Sequence, residues 1–379
     1  MEKLKGALAF GQSGGPSSVI NASACGVFEQ AFREDCITQV LGMHHGIWGV
    51  LNDEFFDISQ EDPYEISLLK TTPSAALGSV RKKLPQPEED PATYRRILEV
   101  FQKHNIRYFL YAGGNDSMDT CNKISKYLQS NNYECRVLGV PKTIDNDLSV
   151  TDHSPGFGSA AKFIVTSCME LHQDARAYDK GKVTIIEIMG RNAGWLTASA
   201  EVASKFGQGP DRIYVPEKVF DVQRFLSDVA DLYSRQQNAI VAVSEGIRDE
   251  NGNYIAEYAT NTAKDAFNHT QLGGCTAVLA SYVKSQLHLP TRAVEFSLLQ
   301  RCAAHLSSQT DIDEAYALGA EAVKRGVAGL SGYMMGIKRV SSKPYVAEIL
   351  PIELAKAAND EQVLPACYLS ESGTYIDPS

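Results

Sequence analysis

Five of the seven residues in Pro141-Lys-Thr-Ile-Asp-Asn-Asp147 carry side chains able to do chemistry, and they follow the apolar run Val137-Leu-Gly-Val140. A strand that ends in such a polar turn presents it at the carboxyl edge of a sheet, where α/β proteins bind ligands. Carboxylates two residues apart, beside a lysine, suit removal of a proton from a hydroxyl while an anionic group is held close. That is equipment for phosphoryl transfer.

Four further segments have the same placement. Gly11-Gln-Ser-Gly-Gly-Pro16 follows a strand-like run and precedes a helix. Its glycines let backbone approach phosphate oxygens at a helix N-terminus, or they simply make a tight turn. It matches neither the Walker loop nor the dinucleotide fingerprint. Gly113-Gly-Asn-Asp-Ser117 is either a second phosphate loop or a helix start capped by Asn115, Asp116 or Ser117. Asn115 and Asp116 there offer oxygens to a hydrated Mg²⁺. Met189-Gly-Arg191 and Ser244-Glu-Gly246 put an arginine and a glutamate at strand ends. Singly such residues are usually structural; together they could clamp a polyhydroxylated, phosphorylated substrate.

The elements that must position these groups alternate. Ala7–Phe10, Tyr108–Ala112, Val183–Ile188 and Ala239–Val243 are apolar, partly β-branched runs that end in polar turns, several feeding helical patterns. This predicts an α/β fold: two Rossmann-like three-layer α/β/α domains with largely parallel sheets and the active site in the cleft between them. Residues 249–253 predict a turn, and the proline-rich stretch 81–93 an exposed loop. The chain has 379 residues, a net charge of −10 and no basic stripe, which argues against a nucleic-acid partner. Eight scattered cysteines show no metal-binding spacing and predict free, mostly buried thiols. No run approaches the ~20 apolar residues of a membrane span, so a cytoplasmic location is expected.

SGGPSSVIN, GGNDS, PKTIDND, MGR and SEG, in this order, resemble the phosphofructokinase family from about residue 5 to about residue 335. The resemblance implies Mg²⁺-dependent phosphoryl transfer to the 1-hydroxyl of fructose 6-phosphate, from ATP or from pyrophosphate. It makes Asp145 the base, with Thr143, Ile144 and Asp147 beside the transferring group and Arg191 stabilising it. Met189, Gly190 and Glu245 would line the sugar. Gly14 and Arg81, the latter in Leu77-Gly-Ser-Val-Arg81, would face the donor phosphates, and Asn115 would meet the metal. The family's closing motif, two arginines nine residues apart, is matched by Arg292 and Arg301, with Leu298 where histidine is usual. His269-Thr-Gln-Leu272 is the weaker match, because leucine replaces its arginine. Arg301 would then meet the sugar phosphate, with Arg292 and Lys182 supplied by a neighbouring subunit, so a homodimer or homotetramer is expected.

Two positions bear on the donor. ATP-using relatives typically have glycine at Asp116 and a small residue at Lys142. An aspartate fills and repels where an α-phosphate would lie, and the lysine adds a cation that pyrophosphate, lacking adenosine, needs. Together they favour pyrophosphate over ATP. A non-catalytic subunit of the same fold would be expected to have lost Asp145 or Arg191, and both are present. The expected layout is a donor domain at 1–152, rejoined by about 303–345, and a sugar-phosphate domain at 153–302 with an insertion at about 250–290. A C-terminal extension at 346–379 completes it.

Overall fold

In a computed structural model, residues 3–258, 274–358, 361–370 and 372–376 are described. The strands are β1 (Gly6–Gln12), β2 (Ile37–Met43), β3 (Phe55–Asp57), β4 (Ile106–Gly113), β5 (Arg136–Pro141), β6 (Val183–Ile188), β7 (Arg212–Tyr214), β8 (Ala239–Ser244), β9 (Thr291–Glu295), β10 (Tyr333–Ser342) and β11 (Tyr345–Glu353). They form a seven-stranded sheet, β11-β10-β5-β4-β1-β2-β3, and a four-stranded sheet, β7-β8-β6-β9. The chain divides accordingly into two compact units. The first is the segment up to Ser159 with Arg301–Glu361, and the second is Ala160–Gln300 with the segment from Gln362 onward.

In the first unit the inner strands run parallel, and only the edge pairs β2–β3 and β10–β11 are antiparallel. Strand alternation sorts its apolar residues into two layers. Ala7, Ala9, Phe109 and Tyr111 pack with Tyr94, Ile97, Met118 and Ile124 from the helices Pro91–Lys103 and Asn115–Ser130. Leu8, Phe10, Tyr108 and Leu110 pack with Val27, Phe28, Leu318 and Val323 from the helices Ile20–Ala31 and Gln309–Val327. Burial on both faces explains why the strands read as continuous apolar runs.

The second unit's sheet is wholly parallel. Val183, Ile185, Val241 and Val243 pack under Phe225, Val229 and Leu279, from the helices Val222–Gln236 and Cys275–Tyr282. Ile186, Ile188 and Ala242 are buried as well, so this sheet is covered on both faces too. The helix Cys275–Tyr282 is held at its start by the buried Glu187 of β6. That carboxylate accepts from the Gly274 and Thr276 N–H groups at 3.1 Å and from the Cys275 thiol.

Three expectations need correction. Residues 346–379 are not one extension: β11 completes the first sheet, whereas the segment from Gln362 packs in the second unit. There the Gln362 carbonyl accepts from Trp195 Nε1 at 2.8 Å, and Leu364 N donates to Glu217 at 2.8 Å. The first unit runs to Ser159 rather than 152, because Asp311 of the helix Gln309–Val327 accepts from Gly156 N, Ser159 N and Ser159 Oγ. The loop 81–93 is not simply exposed. Leu84 is buried, its carbonyl accepts from the buried Lys123 at 2.8 Å, and the Pro85 carbonyl accepts from Tyr94 at 2.7 Å. The turn at 249–253 is present, closed by Asp249 N donating to the Asn253 carbonyl at 3.0 Å. Residues 259–273, which include His269 and Leu272 and much of the expected insertion, lie outside the described residues. The described helix that follows is part of the second unit's core. Of the eight cysteines six are buried, and all are free thiols.

Candidate active site

In the first unit, β1, β4 and β5 are adjacent and parallel, so their carboxyl ends bring three turns side by side. Gly14 has φ +75°, a left-handed conformation that favours glycine. Its N–H donates to the Val80 carbonyl at 2.9 Å, and its carbonyl accepts from Ser79 Oγ at 2.6 Å. These bonds bring Arg81 to the turn. A methyl group added at Gly15 would lie 2.7 Å from Nη1 of Arg301 and 3.7 Å from Nη2 of Arg81, and one at Gly14 would lie 3.2 Å from Nζ of Lys142. Three cations therefore converge over two residues that have no side chains. Lys142 is buried and donates to the Gly15 carbonyl at 2.7 Å. Burial, then Arg301 and Arg81, pull its pKa down to about 8, against the opposing charges of Asp145 and Asp147. Three like charges drawn together over bare backbone are what an anion site requires.

The second turn is tied to the first through Ser13, which donates to the Ala112 carbonyl and meets the Ser117 hydroxyl. The helix Asn115–Ser130 is capped by Gly114, which has no side chain to offer a bond, and not by Asn115, Asp116 or Ser117. The Ser117 and Met118 N–H groups both donate to the Gly114 carbonyl at 3.0 Å. Asp116 pairs with Lys83 from the 81–93 loop at 3.2 Å, both side chains about half exposed. The aspartate therefore occupies its space as part of an ion pair, which moderates the charge repulsion expected of it.

In the third turn, Thr143 Oγ1 accepts from Asp145 N at 3.2 Å, and Asn146 is left-handed with φ +55°. Asn115 Nδ2 donates to Asp147 Oδ2 at 3.1 Å. The remaining oxygens of this pair, Asn115 Oδ1 and Asp147 Oδ1, are buried without a hydrogen-bond partner. Orphaned buried oxygens carry a penalty that a cation would relieve. An amide and a carboxylate oxygen fit a hard, oxygen-seeking ion that keeps most of its water. Among the described residues no trio of His, Cys, Asp or Glu forms a closed metal cage. Burial, then Asp145 and Glu361, push the Asp147 carboxyl up to about 7, with the Thr143 hydroxyl opposing. Glu361 escaped the sequence reading. It reaches this site because its backbone pairs with Leu148, and nothing in the local sequence signals that pairing.

The second unit gathers another set. Glu245 N donates to the Ile188 carbonyl at 2.9 Å, Gly190 N to Glu245 Oε1 at 3.4 Å, and Ser244 Oγ to the Gly190 carbonyl at 2.6 Å. Gly190 has φ +125°, open to glycine alone without strain. Met189 N donates to Gln300 Oε1 at 3.1 Å. Met189, Gly190, Arg191 and Glu245 thus share the carboxyl ends of β6 and β8. Lys182 and Arg292 do not join them. Lys182 precedes β6 and pairs with Asp174 at 2.8 Å, and Arg292 stands opposite Thr184 near the start of β6. A strand of this length separates them from Arg191 by about 20 Å at ~3.3 Å per residue. Leu298 is an exposed turn residue. Arg301, expected at the sugar phosphate, belongs to the first unit and stands beside Gly15, because the chain re-enters that unit at this residue.

Comparison with known proteins gives the family. The phosphofructokinase profile matches residues 7–325. The chain belongs to the phosphofructokinase family. The pyrophosphate--fructose 6-phosphate 1-phosphotransferase of Xanthomonas campestris pv. campestris is 44% identical over 97% of this chain and 88% of its own length. That of Halomonas elongata is 42% identical over 96% of this chain and 87% of its own length. The crystal structure of a pyrophosphate-dependent phosphofructokinase from Nitrosospira multiformis, 37% identical, matches with a TM-score of 0.89 over 99% of this chain and 89% of that one. Among the described residues no helix is long and apolar enough to cross a membrane.

Proposed function

We propose that this phosphofructokinase transfers a phosphoryl group reversibly from pyrophosphate to the 1-hydroxyl of fructose 6-phosphate, giving fructose 1,6-bisphosphate and orthophosphate. The observation that carries the reading is the convergence of Lys142, Arg81 and Arg301 over Gly14 and Gly15. A buried ammonium with its pKa drawn down to about 8 is stabilised by a compact polyanion and has little use without one. The relatives named for pyrophosphate support the same donor.

Asp145, its backbone pinned by Thr143, takes the proton of the 1-hydroxyl as that oxygen attacks phosphorus. The bridging P–O bond breaks, and orthophosphate leaves among the three cations, with Arg191 and Thr143 countering charge on the transferring group. Ile144 and Asp147 flank it, and Met189, Gly190 and Glu245 orient the sugar. Mg²⁺ would be held by Asn115 and Asp147 with water and pyrophosphate oxygens, and would neutralise donor charge. Arg301 acts on the donor side. Asp116, tied to Lys83, takes up the space an α-phosphate would need.

Lys182 and Arg292 lie at the other end of β6 from Arg191, so within one protomer they cannot meet the same sugar phosphate. A homodimer or homotetramer in which they serve a neighbour's site accounts for their placement. Cytoplasmic residence suits an enzyme of these substrates. The test is ³¹P NMR of the protein with fructose 6-phosphate, pyrophosphate and Mg²⁺. Bisphosphate and orthophosphate should appear in equal amounts and run back to pyrophosphate when supplied as reactants. No consumption of pyrophosphate would end the proposal.

A further inference from the structure

The loop that returns from the Thr143–Asp147 turn is held by a histidine to which the chemistry above gives no part. Nδ1 of His153 lies 2.8 Å from Oδ1 of Asp152, and Nε2 lies 2.8 Å from Oε2 of Glu314, on the helix Gln309–Val327. A neutral imidazole has one N–H and can donate to only one of two carboxylates. With both carboxylates ionised, both contacts are made at once only by imidazolium.

The groups around it come from every packed element. Asp152 also receives Arg339 of β10, with Nη2 at 2.9 Å. Glu314 also receives the hydroxyl of Tyr345 of β11, whose ring centre is 6.5 Å from the imidazole. Asp311, one turn earlier than Glu314, is buried on the same helix. Burial alone would oppose the histidine's charge. Glu314 and Asp152 outweigh it and hold the pKa above 6.5.

What this histidine seats is the outer wall of the catalytic turn. Ser154 N donates to Asn146 Oδ1 at 3.0 Å, the Pro155 carbonyl accepts from Thr143 N at 3.2 Å, and Gly156 N donates to Asp311 Oδ1 at 2.9 Å. On its other side Asp152 N donates to the Ile337 carbonyl of β10 at 2.8 Å. Residues 152–156 are thus a splint, bonded to the turn on one side and to a helix and a strand on the other. Thr143, which the splint holds, in turn holds Asp145.

We propose that His153 is a positioning residue: its imidazolium, bridging Asp152 and Glu314, keeps the splint seated and so keeps Asp145 in register. The effect on turnover rests on Asp145 being the base; the effect on the splint does not. The experiment compares His153→Gln, Glu314→Gln and their combination with the intact protein. It measures kcat and KM for pyrophosphate from pH 6 to 9, amide hydrogen exchange across 143–156, and the histidine ring ¹⁵N shifts.

In the intact protein the ring is doubly protonated at neutral pH, and kcat declines as pH rises through its pKa. Each single variant loses roughly 10-fold to 10²-fold in kcat, the size expected for a misplaced group. KM changes little, and exchange across 143–156 quickens. The part of the alkaline decline in kcat that tracks the histidine ring's own titration disappears, while the part due to Lys142 near pH 8 stays. The double variant is no worse than the singles, and Glu314→Asp recovers part of the rate. A neutral ring at pH 7, or variants with unchanged kcat and unchanged exchange, would overturn the proposal. Absence of any pyrophosphate turnover in the intact protein would overturn the functional reading instead, and ring state and exchange would still decide the splint.

Discussion

At the strand ends of the first unit, a buried lysine lies among cations and a carboxyl among carboxylates. At those of the second, neighbouring turns are closed by their own hydrogen bonds. Lys142 sits among two other cations with its pKa lowered, Asp147 among other carboxylates with its pKa raised, and two oxygens have no donor. Around Met189–Arg191 and Ser244–Gly246, by contrast, Ser244, Glu245 and Gln300 satisfy the backbone. The first arrangement is relieved by binding an anion and a cation, whereas the second is a preformed cradle. Perturbed titration clusters where charge must be handled during reaction. Under the proposed function, the first set carries the chemistry and the second orients the acceptor.

That division can be broken in order of effect. Asp145→Ser should lower turnover by ~10²–10⁴-fold while fructose 6-phosphate binding, followed by calorimetry, persists. Loss of binding with an unchanged rate would reverse the two roles. Lys142→Met should lower pyrophosphate turnover by about 10²–10³-fold, the usual size for a lost electrostatic stabiliser. In the intact protein, pyrophosphate affinity should fall as pH rises through about 8, because the ammonium is the form that holds the anion. The sign for stability is the opposite. The unfolded chain keeps this proton up to about 10.5, so between about 8 and 10.5 the folded form binds fewer protons, and this group's contribution rises with pH. Asp116→Gly combined with Lys142→Gly should raise ATP turnover at the expense of pyrophosphate, by roughly tenfold in their ratio. Adding Lys83→Ala should reduce that gain, since freeing Lys83 from Asp116 leaves a cation for the α-phosphate.

The smallest effect belongs to the second unit's scaffold. Glu187→Gln leaves the Gly274 and Thr276 N–H groups with a weaker acceptor, and should cost about 1–3 kcal/mol in denaturant unfolding without changing kcat. A large loss of turnover at unchanged stability would place this residue in the chemistry.

Much of this contrast was readable from the chain, because each motif is local: an apolar run, a polar turn and in several cases a helix. The alternation of Leu8 and Phe10 with Ala7 and Ala9 into two layers follows from strand geometry alone. What escaped reading depends on residues far apart in sequence. Arg301 lies beside Gly15 because the chain changes units at that residue. Glu361 reaches Asp147 through one isolated backbone pairing, and Lys83 reaches Asp116 through a loop anchored by Lys123. His153 has no motif at all, and its two carboxylates come from its neighbour and from a helix 161 residues further on. Local pattern locates strand ends, but side-chain charge at those ends is set by whatever the fold brings over them.

The central claim is that the cations over Gly14 and Gly15 select pyrophosphate. It is tested most directly by measuring kcat/KM for pyrophosphate and for ATP on the same preparation, with saturating fructose 6-phosphate and Mg²⁺. The account predicts a ratio of at least ~10² in favour of pyrophosphate. Efficient turnover of ATP with none from pyrophosphate would contradict it.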